Sequence, residues 1–531
     1  MRTSTSRQCG IGVPLFSLVS SRSWGIGEFA DLPPFAEWCA AAGQRYVQVL
    51  PLNEISPGET SPYSSMTAMA LDPIYIHVPA VPDVLALGGE AGLPADDAAA
   101  LDAVRAAARV RYAAVRGLKL RVLRRGYLRF VRDELGTRSA RAVAFESYVR
   151  REGWWLDGYA LFRAIHAAHD ERAWWDWPPA LAYSDPAALE DAGAALAEER
   201  RFRAWLQWIA EEQWQAARHG AGLRVFGDLP FMISGDSPDV WTRREQFRLD
   251  ATVGVPPDAF SETGQDWGLP PWRWDVMRGT GFQWMRARAR RTAALFDGVR
   301  IDHLVGLYRI YVRPTDTGLE KVFSPPDEST QSQLGATLLN VYLGSGLEVV
   351  AEDLGTVPDF VRWSMARLGV PGFKVMRWER AWDSDGRPFV DPSAYPEVSV
   401  ALSGTHDTES LAQWWDELTD TDRTAFLALP SMAAVRPSDG ASLPPFVPDA
   451  RDAIIRALVD GASRYVILPL QDVFGWDARI NTPATVNDLN WTWKSPVPVD
   501  RWRDDATWVE RAAWLAARCQ ASGRQTNPTP A

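Results

Sequence analysis

Four short apolar stretches of this 531-residue chain end on ionisable side chains, and those endings are the first place to look for chemistry. FGDLPF carries Asp228, VRIDH carries Arg300, Asp302 and His303, VAEDLG carries Glu352 and Asp353, and SGTHD carries His406 and Asp407. Two of only six histidines therefore sit beside acids at these endings. Carboxylates brought together repel one another, so a cluster of them implies a shared positive task. Cleavage of a glycosidic bond is such a task. Its oxocarbenium-like transition state attracts carboxylates, one acid protonates the leaving oxygen, and another can attack the anomeric carbon. Arg300 lies two residues before Asp302 on the same strand face, which would bring its charge to bear on that acid. The competing structural role is capping of a helix N-terminus, which suits Asp353 best. The competing chemistry is zinc hydrolysis, but an HxH pair with a further Lys or His is missing from these stretches.

The elements that must hold these residues read as buried strands. Eight runs stand out: Gly12–Leu18, Tyr46–Leu52, Arg224–Leu229, Gly298–Asp302, Glu348–Asp353, Gly372–Val375, Val398–Ser403 and Tyr465–Pro469. VQVLPL, EVVAEDL and YVILPL are near-continuous hydrophobic runs, as expected of parallel strands covered on both faces. Eight such strands, each followed by helix-compatible sequence, predict an α/β fold of the (β/α)8 TIM-barrel type. Its active site belongs at the C-terminal ends of the strands.

About 170 residues separate the second and third runs, too many for one crossover. A helical insertion over 82–222 is expected there. Phe202, Trp205, Leu206 and Ile209 form one helical stripe, and Trp155, Tyr159, Phe162 and Ile165 another. A second insertion, 230–296, carries the loop VPPDAFSETGQDWGLPPWRWD at the C-terminal face. Residues 1–519 are expected to form one catalytic domain around these insertions, with 520–531 a disordered tail.

Composition narrows the partners. Hydrophobic residues make up 46% and charged residues 23%, ordinary values for a folded globular chain. A net charge of -11 without a basic stripe excludes nucleic acid and fits a neutral substrate. Cys9, Cys39 and Cys519 are far apart and have no metal spacing, which points to a reducing compartment. Arg2 and Arg7 precede an apolar stretch from Ile11 to Val19 that resembles a signal peptide, but Gly12 and Pro14 interrupt it and it reads better as a first strand. No stretch reaches the ~20 apolar residues of a membrane helix. A cytoplasmic enzyme is expected. Most of the 26 tryptophans must be core, with a few free to face sugars.

The ordered motifs AGQRYVQVLPL, SPYSS, WWLDGYALFRAI, FGDLPF, DSPDVW, VPPDAFSETGQDWG, GVRIDHLVGL, AEDLG, VPGFKVMRW, SGTHDTES and INTPATVNDLNW resemble those of the 4-α-glucanotransferases, the amylomaltases or disproportionating enzymes. The resemblance runs from about Gly12 to Trp502. It implies a retaining enzyme that transfers segments of α-1,4-glucans and maltooligosaccharides, with glucose as an acceptor and no cofactor. It also implies that Asp302 is the nucleophile, Glu352 the general acid and base, and Asp407 the stabiliser of the distorted sugar. His406, Tyr63 and Asp228 would bind the donor-side glucose beside Arg300. Asp258, Gln265 and Trp267 would cover acceptor sugars, and Asn481 is carried over from INTP. No nucleic acid or membrane partner is implied, and the chain would work as a monomer or weak homo-oligomer. Two stretches depart from the family pattern. Ser56 to Glu59 replaces a Gly-Tyr-Gly whose tyrosine serves a remote glucan site, and GLPPW replaces GNPLY after the loop tryptophan.

Overall fold

The computed structural model describes residues 6–257, 264–438 and 443–524. Eight parallel strands close into a barrel: β1 (Gln8–Gly12), β2 (Tyr46–Gln48), β3 (Arg224–Leu229), β4 (Gly298–Ile301), β5 (Glu348–Ala351), β6 (Gly372–Val375), β7 (Ser399–Leu402) and β8 (Tyr465–Pro469). The ring closes where β1 pairs β8 from Gln8↔Tyr465 to Gly12↔Pro469, and β2 from Gly10↔Tyr46. This is the TIM barrel that the apolar runs predicted.

The first strand is placed differently. The expected run Gly12–Leu18 overlaps β1 by one residue, because Pro14 cannot donate to a ladder and starts a 3-10 turn at Leu15–Ser17. The true strand, QCGIG, has little apolar side chain of its own. It is buried by its neighbours: a Cβ on Gly10 would lie 2.4 Å from the Tyr46 ring, so only glycine lets that ring fill the barrel. Tyr46 then stacks on Phe226 with centroids 4.7 Å apart, and Tyr465, Phe373, Val375, Val400 and Leu402 complete the interior.

Between β2 and β3 lie the helices Ala95–Ala106, Tyr112–Phe130, Ala140–Ala168 and Ala197–Gly220. The two aromatic stripes are buried, and Trp214 tilts against Phe29 and Phe296 to join the helices to the barrel. Lys119 is driven into the same junction with its ammonium 2.5 Å from Glu28, both nearly inaccessible to solvent. Paired in this way, neither charge is left bare in the interior.

A four-stranded antiparallel sheet was not expected from the sequence. Its order is Gln265–Leu269, Ala251–Val255, Ile310–Pro314, Val322–Ser324. Two strands come from the insertion after β3 and two from the chain after β4, so no local signal pairs them. Gly254 makes the hairpin close, since a Cβ there would meet the Gln265 carbonyl at 2.0 Å.

Residues 520–524, expected to belong to the tail, are part of the fold. The final helix is Ala506–Ala521, and the buried Arg524 donates to the carbonyls of Gln8 and Val459. Among the described residues, no helix is long and apolar enough to cross a membrane.

Candidate active site

Register builds the floor of the site. Asp228 on β3 and Arg300 on β4 are paired positions of adjacent strands, so both side chains enter the barrel mouth from the same level. Arg300 Nη1 lies 2.9 Å from both oxygens of Asp228 and 2.8 Å from Oδ1 of Asp302, which follows the last residue of β4. Tyr63, on the loop after β2, donates its hydroxyl to Asp228 Oδ2 at 2.7 Å. Burial pushes the Asp228 carboxyl up, and Arg300 opposes this. The guanidinium itself is held well above its usual range: Asp228 first, then Tyr63, Asp302 and Glu352, outweigh its burial.

Glu352 follows β5 and lies beside the same cluster. Its Oε2 accepts from the His303 N–H at 2.8 Å and its Oε1 from the Leu354 N–H at 2.7 Å. Burial, reinforced by the charge of Asp302 and opposed by Arg300, pushes this carboxyl up to about 7. Asp353, read as a helix cap, instead accepts from the Phe373 N–H at 2.7 Å and ties β5 to β6; the next helix starts only at Asp359.

On the far side of the mouth, Asp407 accepts from Asn481 Nδ2 at 2.6 Å and lies 3.2 Å from His406 Nε2. Burial raises the Asp407 carboxyl, but His406 and the Asn481 hydrogen bond outweigh it and bring the group to about 2. His406 moves in the opposite direction: burial lowers it, Asp407 more than compensates, and the net shift is upward. The imidazole is stacked on Tyr63, with centroids 5.0 Å apart and planes at 22°.

The sequence-expected residues thus fall into two groups. Tyr63, Asp228, Arg300, His406, Asp407 and Asn481 form one connected network around Asp302. Gln265 and Trp267 lie on the small antiparallel sheet, linked by a Trp267 Nε1–H to Gln265 Oε1 bond of 3.2 Å. Trp267 reaches the acids through the His303 ring, 5.0 Å away and edge-on. Asp258 lies outside the described residues.

Two residues of the site were missed as site residues. Trp491 tilts against both Tyr63 and His406, at 5.8 and 5.6 Å, and is buried. Its carbonyl accepts from Tyr112 of the helical insertion at 2.8 Å, so the insertion fixes one wall of the mouth. The tryptophan stood at the end of INTPATVNDLNW, but nothing local placed it beside Tyr63. Phe231, just after β3, packs edge-on to His303 at 5.4 Å.

The arrangement offers an acid paired to a guanidinium, a second acid carrying a proton near neutrality, and a third held ionised. Asp302 and Asp407 are 24% and 43% exposed at their side chains, so both can be reached from outside the barrel. A profile of the 4-alpha-glucanotransferase family matches residues 13–498. The 4-alpha-glucanotransferase of Chlamydia pneumoniae is 30% identical over 509 residues, covering 92% of this chain and 91% of that protein. That of Thermus thermophilus is 32% identical over 490 residues, covering 89% and 91%. The amylomaltase from Streptococcus agalactiae, solved in complex with acarbose, superposes with a TM-score of 0.80 at 26% identity over 98% of this chain and 100% of that one. The acids gathered at the mouth of this barrel and the likeness along almost its whole length lead to one conclusion: the chain belongs to the 4-alpha-glucanotransferase family and is an enzyme of α-1,4-glucans.

Proposed function

We propose that the enzyme transfers its glucan segments by a retaining double displacement through a covalent ester on Asp302. The observation that carries this reading is the contrast between two neighbouring acids. Asp302 is met by a guanidinium at 2.8 Å, whereas Glu352 is raised to about 7. One acid is supplied with a positive partner and the other with a proton, the division a nucleophile and a general acid require.

In the first step a carboxylate oxygen of Asp302 attacks the anomeric carbon. The glycosidic C–O bond breaks, and Glu352 delivers its proton to the leaving 4-oxygen. In the second step the ionised Glu352 takes the proton of an incoming 4-hydroxyl, whose oxygen attacks the same carbon and expels Asp302. Glucose and maltooligosaccharides are the proposed acceptors. Asp407 keeps its negative charge through both steps and opposes the developing oxocarbenium charge. His406, Asp228, Tyr63 and Asn481 hold the donor sugar and its neighbours, with Arg300 fixing the acids. Gln265 and Trp267 hold the acceptor. We read the enzyme as cytoplasmic, a reading supported by the unpaired, buried Cys9, Cys39 and Cys519. Action as a monomer or weak homo-oligomer is part of the same proposal.

Digestion of maltotriose alone tests the reading. Transfer yields glucose together with maltotetraose and longer chains at a constant number of reducing ends. Glucose and maltose alone, with reducing ends rising steadily, would reject it.

A further inference from the structure

His303 is the one ionisable member of the RIDH ending that the double displacement leaves without a task. Its backbone is left-handed, φ 43° and ψ 57°, a conformation that a side-chain-bearing residue keeps only when its surroundings impose it. The consequence of that turn is visible on both sides of the residue. Its N–H points at Glu352 Oε2, 2.8 Å away. Its imidazole enters a slot between two aromatic edges, Phe231 at 5.4 Å and Trp267 at 5.0 Å. The slot is prepared from within the same turn: a Cβ on Gly306 would lie 2.1 Å from the Phe231 ring. Burial lowers the imidazole to about 4, so at neutral pH it packs as an uncharged ring and adds no cation beside Asp302.

Trp267 needs such a contact. Its strand, Gln265–Leu269, is an outer strand of the small sheet and, among the described residues, is paired on one side only, to Ala251–Val255. Side-chain packing must fix its other flank. We propose that His303 is a positioning residue that locks the Trp267 strand against the Asp302–Glu352 pair, so that acceptor affinity and exclusion of water depend on its ring. The proposal rests on reading Trp267 as an acceptor residue. It makes the balance of transfer against hydrolysis a property of one imidazole between the nucleophile strand and the acceptor sheet.

The test uses the full chain with 4-nitrophenyl α-maltoside as donor and glucose as acceptor. His303→Gly accepts the left-handed backbone and keeps the N–H to Glu352 while removing the ring; His303→Phe keeps a ring in the slot. An aromatic contact of this kind corresponds to a roughly three- to tenfold effect. His303→Gly is expected to raise the glucose KM and the hydrolysis-to-transfer ratio by about that factor, and to lower first-turnover nitrophenol release by less than about threefold. His303→Phe recovers most of the glucose KM. In the double variant with Trp267→Leu, the glucose KM exceeds that of the worse single variant by less than about twofold, because both remove one shared contact. An unchanged glucose KM in His303→Gly, an equal fall of release and transfer that Phe does not rescue, or a multiplicative double variant would overturn the proposal. Trp267→Leu separates the layers. If it leaves the glucose KM unchanged, the acceptor reading fails, and this proposal with it. If it raises that KM while His303→Gly does not, only the role of His303 fails.

Discussion

Arg300 meets Asp228 and Asp302 with a single nitrogen: Nη1 is 2.9 Å from both oxygens of Asp228 and 2.8 Å from Oδ1 of Asp302. Asp228 is fully enclosed, so the guanidinium is at once the counter-charge of a buried acid and the neighbour of a partly exposed one. This couples stability to catalysis at one side chain.

Removing it should therefore be expensive on both counts. Arg300→Leu leaves Asp228 buried without a counter-charge and is expected to lose about 3–5 kcal/mol of unfolding free energy in urea titration. Activity on maltotriose is expected to fall at least ~10³-fold. Arg300→Lys recovers little of either, because the lysine stem is shorter and its ammonium stops short of the place Nη1 holds between the two carboxylates. Wild-type-like turnover in Arg300→Lys would show that the reach of the guanidinium is not required.

The protonated Glu352 predicts a pH profile. In the proposed double displacement the first step needs its proton, so kcat/KM on maltotriose should fall as pH rises through about 7. The sign for stability follows from the same shift. The folded carboxyl is raised above the ordinary 4.5, so the native state binds the proton more tightly, and that stabilisation is lost as pH rises from about 4.5 through about 7. Glu352→Gln, which needs no proton, should gain stability relative to the parent above neutrality, on the order of 1 kcal/mol. A melting-temperature difference that does not grow between pH 5 and pH 8 would contradict this.

Asn481 provides a third test, since it supplies a 2.6 Å hydrogen bond to Asp407. Asp407 sits at about 2, below its ordinary 3.8, so it contributes stability above pH 3.8 that disappears as pH falls through about 2. Asn481→Ala removes one donor and should move Asp407 upward, shifting the acid limb of the kcat profile to higher pH. Turnover at neutral pH should drop about 10- to 100-fold. His406 remains beside Asp407, so the effect should be smaller than that of Asp407→Asn.

Tyr63→Phe deletes the hydroxyl that donates 2.7 Å to Asp228 while keeping the ring stacked on His406. The enclosed carboxylate loses one of its partners, at a cost of about 1–3 kcal/mol in denaturant unfolding. Donor KM should change less than with Tyr63→Ala, which also removes the stacking face. Equal donor KM values in the two variants would show that the ring carries no binding role.

Trp491 allows the wall of the mouth to be tested without touching an acid. It is buried against Tyr63 and His406. Trp491→Ala should cost about 3–5 kcal/mol of stability and raise the donor KM, while Trp491→Phe retains most of both. Tyr112→Phe, which removes the hydroxyl bonded to the Trp491 carbonyl, should move the donor KM in the same direction by a smaller factor.

Much of the framework was legible because it is local. Seven of the expected strands coincide with or contain barrel strands, as their continuous apolar runs dictate, and their acid-bearing ends lie at the barrel mouth. The first failed where the strand has glycines in place of apolar side chains and is buried by Tyr46 and Ile467 of its neighbours. The antiparallel sheet was illegible for a related reason: Val253 pairs with Val312 across β4, and no turn signal spans such a separation. Asp353 misled because an acid after a strand looks the same in sequence whether it caps a helix or reaches the next strand.

The sequence by itself determined which side chains stand at the strand ends: Asp302, Glu352 and Asp407 were named as the reacting acids from their positions and from the family pattern. Only the tertiary structure decided how those acids differ. Glu352 is raised by burial and by Asp302, and Asp407 is lowered by His406 and Asn481. Tyr63 reaches Asp228 across 165 positions, and Trp491 reaches His406 from a different segment of the chain. A carboxyl group's type is covalent and travels with the sequence. Its proton affinity is set by desolvation and by charges within a few ångströms, and those neighbours exist only once the barrel has closed.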